Sequence, residues 1–235
     1  LMYQIKFVII LFFFCFSCAA EKTDADWWQK RAEIMVKNQL ERRGIQDKGV
    51  LRVMRETPRH LFVPENLKGA AYEDRPLPIG EGQTISQPYI VALMTELLQL
   101  EHSDNVLEIG TGSGYQLAVL SQLIDFCYSI EIKESLATNA RKKLNSLGYN
   151  NVKIKFGDGY QGWKEYAPFD KIIITAAPTE IPPELIKQLK EGGLMVLPVG
   201  ESHNQELIVV RKKGQKLIKE YIIPVRFVPM IHKDE

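Results

Sequence analysis

The sequence predicts an α/β protein in which a mostly parallel β-sheet carries helices on both faces and follows a helical N-terminal extension. From about residue 104 onward, short apolar segments alternate with segments of helical periodicity. A glycine-rich turn joins the first of these apolar segments to a helical one. The chain has 235 residues, of which 45% are hydrophobic and 25% charged, and these proportions are typical of one sizeable globular domain.

Charge and cysteine content exclude two classes of protein. Lys and Arg total 30 and Asp and Glu total 29, so the net charge is +1 and leaves no surplus of positive charge for nonspecific nucleic-acid binding. We therefore expect no nucleic-acid partner. Two of the three cysteines, Cys15 and Cys18, lie near the N-terminus and only Cys127 belongs to the body, which excludes a disulfide framework.

Residues 1–20 resemble a secretory leader. Lys6 precedes the apolar run Phe7–Phe16, and the small residues Ser17–Ala20 then lead into charged sequence, so cleavage is expected after Ala20. The run is short for a membrane span, which takes about 20 residues. Two alternatives stay open: lipid attachment at Cys18, although Cys15 and Phe16 make a poor lipoprotein box, and a buried N-terminal strand or mistaken start.

The N-terminal extension is predicted to hold two helices. Apolar residues recur at helical spacing from Asp26 to Arg43, and Gly44 supplies a left-handed stop. A second helix is predicted over Lys48–Glu56, and it ends there because Pro58 disfavours helical backbone at the residue before it. The segment Arg59–Pro64 is then expected to be extended.

The segment from Asp74 to Pro88 is predicted to be a long irregular loop. Such loops are uncommon within compact domains unless they are functional, so this one is a candidate functional segment. Pro88 is expected to open a helix, since proline is tolerated at the first helical position, with Ser86 or Gln87 at its cap.

The sheet region is predicted to alternate strands with helices. Its buried strands are Val106–Ile109, Phe126–Glu131, Val152–Phe156, Lys171–Thr175 and Leu194–Pro198. The intervening helices are Tyr115–Ile124, Ser135–Leu147 and Pro183–Lys190. Leu207–Arg211 and Lys216–Val225 are expected to close the sheet as a strand pair.

The glycine loop after the first buried strand predicts a ligand site. Gly110, Gly112 and Gly114 are spaced G-x-G-x-G, whereas dinucleotide-binding loops favour G-x-G-x-x-G to admit a pyrophosphate. Glu108, at the end of that strand, would repel phosphate but attract an ammonium, directly or through water. A small cationic ligand is therefore favoured over a dinucleotide.

Acidic residues follow the next two strands. Glu131 comes about 20 residues after the glycine loop, where a carboxylate can accept both hydroxyls of a ribose. Asp158 and Gly159 follow the third strand, where an adenine edge would lie. Read singly, Glu131 could be a solvated charge and Asp158 could form an Asx turn. Read together with the loop, they favour S-adenosylmethionine as the ligand.

The sequence resembles the protein-L-isoaspartate O-methyltransferase family from about Lys37 to Met230. The most specific segment is Gly82–Tyr89, which general methyltransferases lack although they share the glycine loop. The matching runs are Asp47–Leu51, Pro58–Pro64, Pro76–Ala92, Val106–Tyr115, Gly157–Gly159, Leu197–Gly200 and Val225–Pro229.

The resemblance implies a Rossmann-like S-adenosylmethionine-dependent methyltransferase fold. It implies methyl transfer to the α-carboxylate of L-isoaspartyl residues in damaged proteins and peptides, whose ester then collapses to a succinimide. Ser86 takes the active-site role by this similarity, and Val228 and Pro229 lie over the substrate peptide. The residues implied to line or contact the cofactor site are Thr84, Ile85, Gly110, Glu131, Asp158 and Gly159.

Methyl transfer to a carboxylate requires little activation of the nucleophile. A carboxylate is ionised and nucleophilic at neutral pH, so neither a general base nor a metal is expected. The four histidines, His60, His102, His203 and His232, show no ligand spacing. Ser86 is expected to hydrogen-bond and orient the substrate carboxylate, and a helix cap is its alternative role.

We expect residues 21–235 to form a single methyltransferase domain, with a helical and substrate-loop region at 26–103 and the cofactor-binding sheet at 104–235. A monomer is expected. The resemblance favours the cytoplasm, the leader favours export, and any membrane contact is expected only through the leader. Alternative functions are a methyltransferase of another carboxylate or small molecule, and a non-catalytic, membrane-anchored binding module.

Overall fold

The computed structural model describes residues 27–233, and the predicted leader lies outside them. Two sheets are present in this part of the chain, a two-stranded hairpin and a seven-stranded sheet. The hairpin strands are β1 (Leu77–Gly80) and β2 (Gln83–Ile85). The strands of the large sheet are β3 (Val106–Ile109), β4 (Cys127–Glu131), β5 (Val152–Phe156), β6 (Phe169–Ile174), β7 (Leu189–Glu201), β8 (Asn204–Lys213) and β9 (Lys216–Val225).

The large sheet has the order β5-β4-β3-β6-β7-β8-β9. Its first five strands are mutually parallel, and β8 and β9 are added antiparallel. The chain runs outward to β5 on one side of β3 and outward to β7 on the other, so strand order reverses between β3 and β6. Ligands of open α/β sheets bind at such a switch point, outside the carboxyl ends of the strands.

Alternating side chains put an apolar core on each face of the sheet. Val106 and Ile173 belong to one buried cluster, whereas Leu107, Ile172 and Ile174 belong to the other. Helices cover both clusters, as predicted. These helices are α3 (Pro88–Leu97), α4 (Tyr115–Leu120), α5 (Glu134–Ser146) and α6 (Pro183–Gln188). The α/β prediction is confirmed, although α4 ends before the predicted Ile124 and β7 is much longer than its predicted segment.

The N-terminal extension packs against the larger of the two clusters. Residues 27–35 form helix α1, and a π turn (Val36–Leu40) and a 3₁₀ turn (Glu41–Arg43) carry the chain to Gly44, whose φ is 96°. Helix α2 (Lys48–Glu56) is capped by Asp47. Within residues 27–233, no helix has the length and apolar character that a membrane crossing requires.

Two predictions for this region are wrong. The segment after Pro58 is a 3₁₀ helix (Arg59–Phe62) rather than an extended segment, because the Pro58 carbonyl accepts the Leu61 N–H at 2.9 Å. The segment Asp74–Pro88 contains the β1–β2 hairpin. Its turn residues, Glu81 and Gly82, have φ angles of 53° and 69°, and two positive φ angles are what a tight hairpin turn needs.

Candidate active site

A cleft opens at the carboxyl ends of β3, β4 and β6, at the switch point. Residues of the β1–β2 hairpin and of the C-terminal segment also line it. Its lining residues are Gln83, Thr84, Ile85, Ser86, Val91, Ile109, Gly110, Thr111, Gly112, Ser113, Tyr115, Gln116, Ile130, Glu131, Ile132, Gly159, Thr175, Ala176, Val228, Pro229, Met230 and Ile231. The structure therefore brings the specific Gly82–Tyr89 segment and the glycine loop to one place.

The glycine loop approaches β6 so closely that a side chain at Gly110 has no room. Gly110 has a φ of 97°, and a Cβ added there would lie 2.4 Å from the Thr175 hydroxyl oxygen. That hydroxyl donates to the Gly110 carbonyl at 2.7 Å, which fixes the loop to the end of β6. Glycine is therefore required at this position for the loop to pack on the end of β6, where Gly110 and Gly112 line the cleft.

Glu131 lies at the end of β4 with its carboxylate beside the loop. One carboxylate oxygen accepts the Gly112 N–H at 2.7 Å, and the other accepts the Lys133 N–H at 2.9 Å. The residue is buried yet lines the cleft. Because each carboxylate oxygen can accept more than one hydrogen bond, acceptor capacity remains for ligand hydroxyls.

The Asp158–Gly159 pair contributes its backbone more than its carboxylate to the cleft. Gly159 lines the cleft, and a Cβ there would lie 2.4 Å from the Ile109 side chain. The Asp158 side chain accepts the Tyr160 N–H at 2.8 Å and caps a short 3₁₀ helix. It also lies 3.2 Å from the His232 ring nitrogen. This local turn is the alternative that the sequence left open for Asp158, and the carboxylate is not part of the cleft wall.

Glu108 does not face the cleft, which corrects the expectation of direct ligand contact. It is fully buried, and its carboxyl group accepts the Ser129 hydroxyl. The Thr111 and Ser129 hydroxyl oxygens are 2.6 Å apart, which links the carboxyl to the glycine loop. Burial raises the pKa of Glu108 to about 8, against the opposing effect of the Ser129 hydrogen bond. A neutral acid beneath the loop does not attract a cation as the sequence suggested.

Gly114 also lies outside the cleft wall. Its φ is 87°, and a Cβ there would lie 3.2 Å from the Leu144 side chain. The missing side chain therefore lets the start of α4 pack against α5, which is a structural role rather than the predicted cofactor contact.

Ser86 follows β2 with its hydroxyl free. It makes no side-chain hydrogen bond within residues 27–233, and the N-cap of α3 is Gln87, which has no capping side-chain bond either. The capping alternative for Ser86 is therefore wrong. Its carbonyl accepts an N–H of Arg59 at 2.7 Å. Thr84 and Ile85 line the cleft beside it.

The C-terminal segment lines the cleft through Val228, Pro229 and the two residues that follow. Ala177 donates its N–H to the Val228 carbonyl and accepts the Met230 N–H, both at 2.8 Å. A parallel bridge between Ala177 and Pro229 results. Thus the end of β6 holds both the glycine loop and the C-terminal segment.

Sequence reasoning missed several lining residues. Tyr115 and Gln116 were predicted only as part of a helix, and Met230 and Ile231 were assigned to no predicted element. Thr175 was predicted only as the last residue of a buried strand, and Ala176 follows it. Among the described residues, no group of three or more His, Cys, Asp or Glu side chains could hold a metal ion.

The model of the protein-L-isoaspartate(D-aspartate) O-methyltransferase family matches residues 30–235. The chain belongs to this family. The protein-L-isoaspartate O-methyltransferase 2 of Shewanella sediminis is 56% identical over 226 residues, which are 95% of this chain and 93% of that protein. The protein-L-isoaspartate O-methyltransferase of Idiomarina loihiensis is 52% identical over 207 residues, 88% of this chain and 97% of that protein.

Solved structures agree with this membership. A protein-L-isoaspartate O-methyltransferase is 30% identical with a TM-score of 0.78, over 87% of this chain and 66% of that one. A beta-aspartate methyltransferase family structure from Plasmodium falciparum, in complex with S-adenosyl-L-homocysteine, is 26% identical with a TM-score of 0.73, over 87% of this chain and 98% of that one.

Proposed function

We propose that this chain transfers a methyl group from S-adenosylmethionine to the free α-carboxylate of L-isoaspartyl residues in damaged proteins and peptides, the first step of repair through a succinimide. Membership of a family named for this activity supports the proposal. The observation that carries the proposal is that the glycine loop and residues Thr84–Ser86 line the same cleft.

The cleft fits S-adenosylmethionine in two ways. Gly110 and Gly159 both line the cleft, and they pack so closely against Thr175 and Ile109 that neither position has room for a side chain, so only their backbone could contact the ligand. Glu131 keeps acceptor capacity beyond its two backbone bonds and would accept the ribose hydroxyls. Gly112 would contribute backbone beside it. The family structure with bound S-adenosyl-L-homocysteine is consistent with this assignment.

The residues of the chain act mainly by orienting the substrate. When bound, the cofactor supplies an electrophilic methyl group on a positive sulfur. Ser86 would donate its free hydroxyl to the incoming carboxylate and hold it in line, without itself being methylated. No side chain needs to remove a proton, because the carboxylate is already ionised. Val228 and Pro229 would cover the reacting groups and exclude water, which favours a step in which opposite charges disappear.

We further propose that residues 21–235 act as one domain and as a monomer, with isoaspartyl proteins as the partners. The region 26–103 would supply the β1–β2 hairpin and Ser86 for substrate binding, and the sheet region 104–235 would supply the cofactor site. All of these contacts would be made within one chain.

A pair of peptides that differ only at one residue tests the function. One carries L-isoaspartate and its twin carries L-aspartate, and methyl transfer from labelled S-adenosylmethionine is measured for both. We expect labelling of the isoaspartyl peptide only. Equal labelling of both would favour a general carboxylate methyltransferase, and S-adenosylhomocysteine binding without labelling of either would favour the non-catalytic alternative.

A further inference from the structure

Arg59 is a fully buried arginine directly behind the cleft wall. It lies at the start of the 3₁₀ helix Arg59–Phe62 and has 0% of its surface exposed. A buried charge costs considerable free energy unless partners compensate it. An arginine in this position therefore needs an explanation beyond packing.

The partners of Arg59 are neutral. Its Nε donates to the Ala71 carbonyl and its Nη2 to the Ser86 carbonyl, both at 2.7 Å. Its guanidinium carbon lies 4.7 Å from the ring centroid of Tyr115. Its Nη1 is buried and has no acceptor within residues 27–233.

No described carboxylate lies within salt-bridge distance of this guanidinium. Asp74, whose charge acts on Arg59 from farther away, forms its ion pair with Arg43 at 2.7 Å. Burial lowers the pKa of Arg59, but a guanidinium remains protonated in proteins. The protein thus keeps a positive charge without a contacting carboxylate at the back of the cleft.

Arg59 contacts two residues that line the cleft, Ser86 beside the hairpin and Tyr115 beside the glycine loop. Ser86 directly follows the β1–β2 hairpin, and Tyr115 is the first residue of α4, directly after the glycine loop. A negative group bound at Ser86 would supply the charge that the Arg59 environment lacks. A Coulomb interaction of this kind is strong in a site that excludes water.

We propose that Arg59 is a positioning residue with two roles. It holds the Ser86 peptide next to the start of α4, which follows the glycine loop, and it provides the positive charge that selects an ionised substrate carboxylate. The proposal rests on the proposed function, because it takes the isoaspartyl carboxylate as the group that binds at Ser86.

The test compares an isoaspartyl peptide with the same peptide carrying an α-carboxamide in place of the α-carboxylate. Binding of both to the full chain is measured by calorimetry with saturating S-adenosylhomocysteine, so that no turnover is needed. We expect the wild type to favour the carboxylate peptide by about tenfold or more. Arg59→Met should reduce that preference by about tenfold, whereas Arg59→Lys, which keeps the charge, should retain most of it.

The matched control is Arg43→Met, which removes a partly exposed arginine that lies 3.4 Å over the Tyr89 ring and does not contact Ser86. It should leave the preference unchanged. Arg59→Gln serves as the neutral variant if Arg59→Met fails to fold.

A merely structural Arg59 would weaken both peptides equally, and an unchanged preference in a folded neutral variant overturns the proposal. The proposed function fails differently, because the wild type itself would then neither methylate the isoaspartyl peptide nor prefer it to the carboxamide.

Discussion

Ser86, Glu131 and Glu108 are three polar residues of the site region with different environments. The Ser86 hydroxyl is free at the cleft wall, whereas Glu131 is tied to the loop by two backbone bonds. Glu108 is enclosed below the loop. Their substitutions should therefore affect turnover, cofactor affinity and pH-dependent stability respectively.

Ser86→Ala should lower turnover alone. A hydrogen bond to a charged partner contributes about 1.5 to 3 kcal/mol, so kcat/KM for the isoaspartyl peptide should fall by about 10- to 100-fold. Affinity for S-adenosylhomocysteine and Tm should not change, because the hydroxyl makes no bond within the described fold. Ser146→Ala, an exposed hydroxyl on α5, is the control. A loss of Tm with unchanged kcat/KM would contradict the orienting role.

Glu131→Ala should weaken cofactor binding. The two proposed ribose hydroxyl bonds and the observed bond to the Gly112 N–H would be lost, at a cost of about 2 to 4 kcal/mol in binding free energy. Titration calorimetry with S-adenosylhomocysteine measures this loss, with the exposed neighbour Glu134→Ala as control. An unchanged dissociation constant would reject the ribose assignment.

Glu108 should make stability depend on pH. Its pKa is about 8 in the folded protein, against an ordinary value of 4.5, so the native state keeps a proton that the unfolded chain releases. The stabilising contribution is complete below pH 4.5 and is lost as the pH rises toward 8. Between pH 5 and 9, the loss should be about 3 to 4 kcal/mol.

Urea unfolding of the wild type and of Glu108→Gln at pH 5, 7 and 9 measures this dependence. The free energies of unfolding of the two proteins should diverge with pH, the variant losing less. Parallel curves would show that Glu108 ionises normally in the folded protein.

At the scale of elements, the turn that joins β3 to α4 is the most constrained part of the cleft. Gly110 combines a left-handed φ with a close approach to Thr175, and each requirement alone excludes most side chains. The sequence revealed the glycines but not the strand that they approach. Which glycine faces the ligand and which faces α5 depends on this packing.

Gly110→Ala should abolish detectable binding of S-adenosylhomocysteine at the concentrations that a titration can reach, because the new Cβ would overlap the Thr175 hydroxyl. Gly214→Ala is the matched control, since Gly214 also has a positive φ, 59°, but nothing within 4 Å of its Cβ position. The control should lose about 1 kcal/mol of stability and keep its affinity for S-adenosylhomocysteine. Adding Thr175→Ala to Gly110→Ala should restore part of the affinity, and equal affinities of the two glycine variants would exclude the steric explanation.

At the scale of the whole molecule, the cleft is assembled from segments that are distant in sequence. The C-terminal segment reaches it because Gln205, buried on β8, holds the Phe227 backbone through two bonds, one to its N–H at 2.6 Å and one from the Gln205 amide to its carbonyl at 3.2 Å. From there the chain continues to its bridge with Ala177. An interior side chain of the sheet therefore positions the cover of the site.

Gln205→Ala should loosen the cover without unfolding the sheet. We expect faster hydrogen exchange at residues 227–231 and a severalfold higher KM for the isoaspartyl peptide, because the segment that we propose to cover the substrate loses its anchor. The exposed neighbour Asn204→Ala should change neither quantity. Unchanged exchange at 227–231 in Gln205→Ala would show that the bridge to Ala177 holds the segment by itself.

The sequence by itself determined the alternating α/β architecture, the glycine loop and the family. Buried parallel strands are continuous apolar runs, and amphipathic helices repeat their apolar residues every three to four positions, so both can be recognised from the sequence alone. Only the tertiary structure decided that Asp74–Pro88 holds a hairpin, that Glu131 lines the cleft whereas Glu108 and Asp158 do not, and that Arg59 contacts the Ser86 carbonyl. Burial and side-chain direction depend on which distant segments pack together, and no local pattern records that packing.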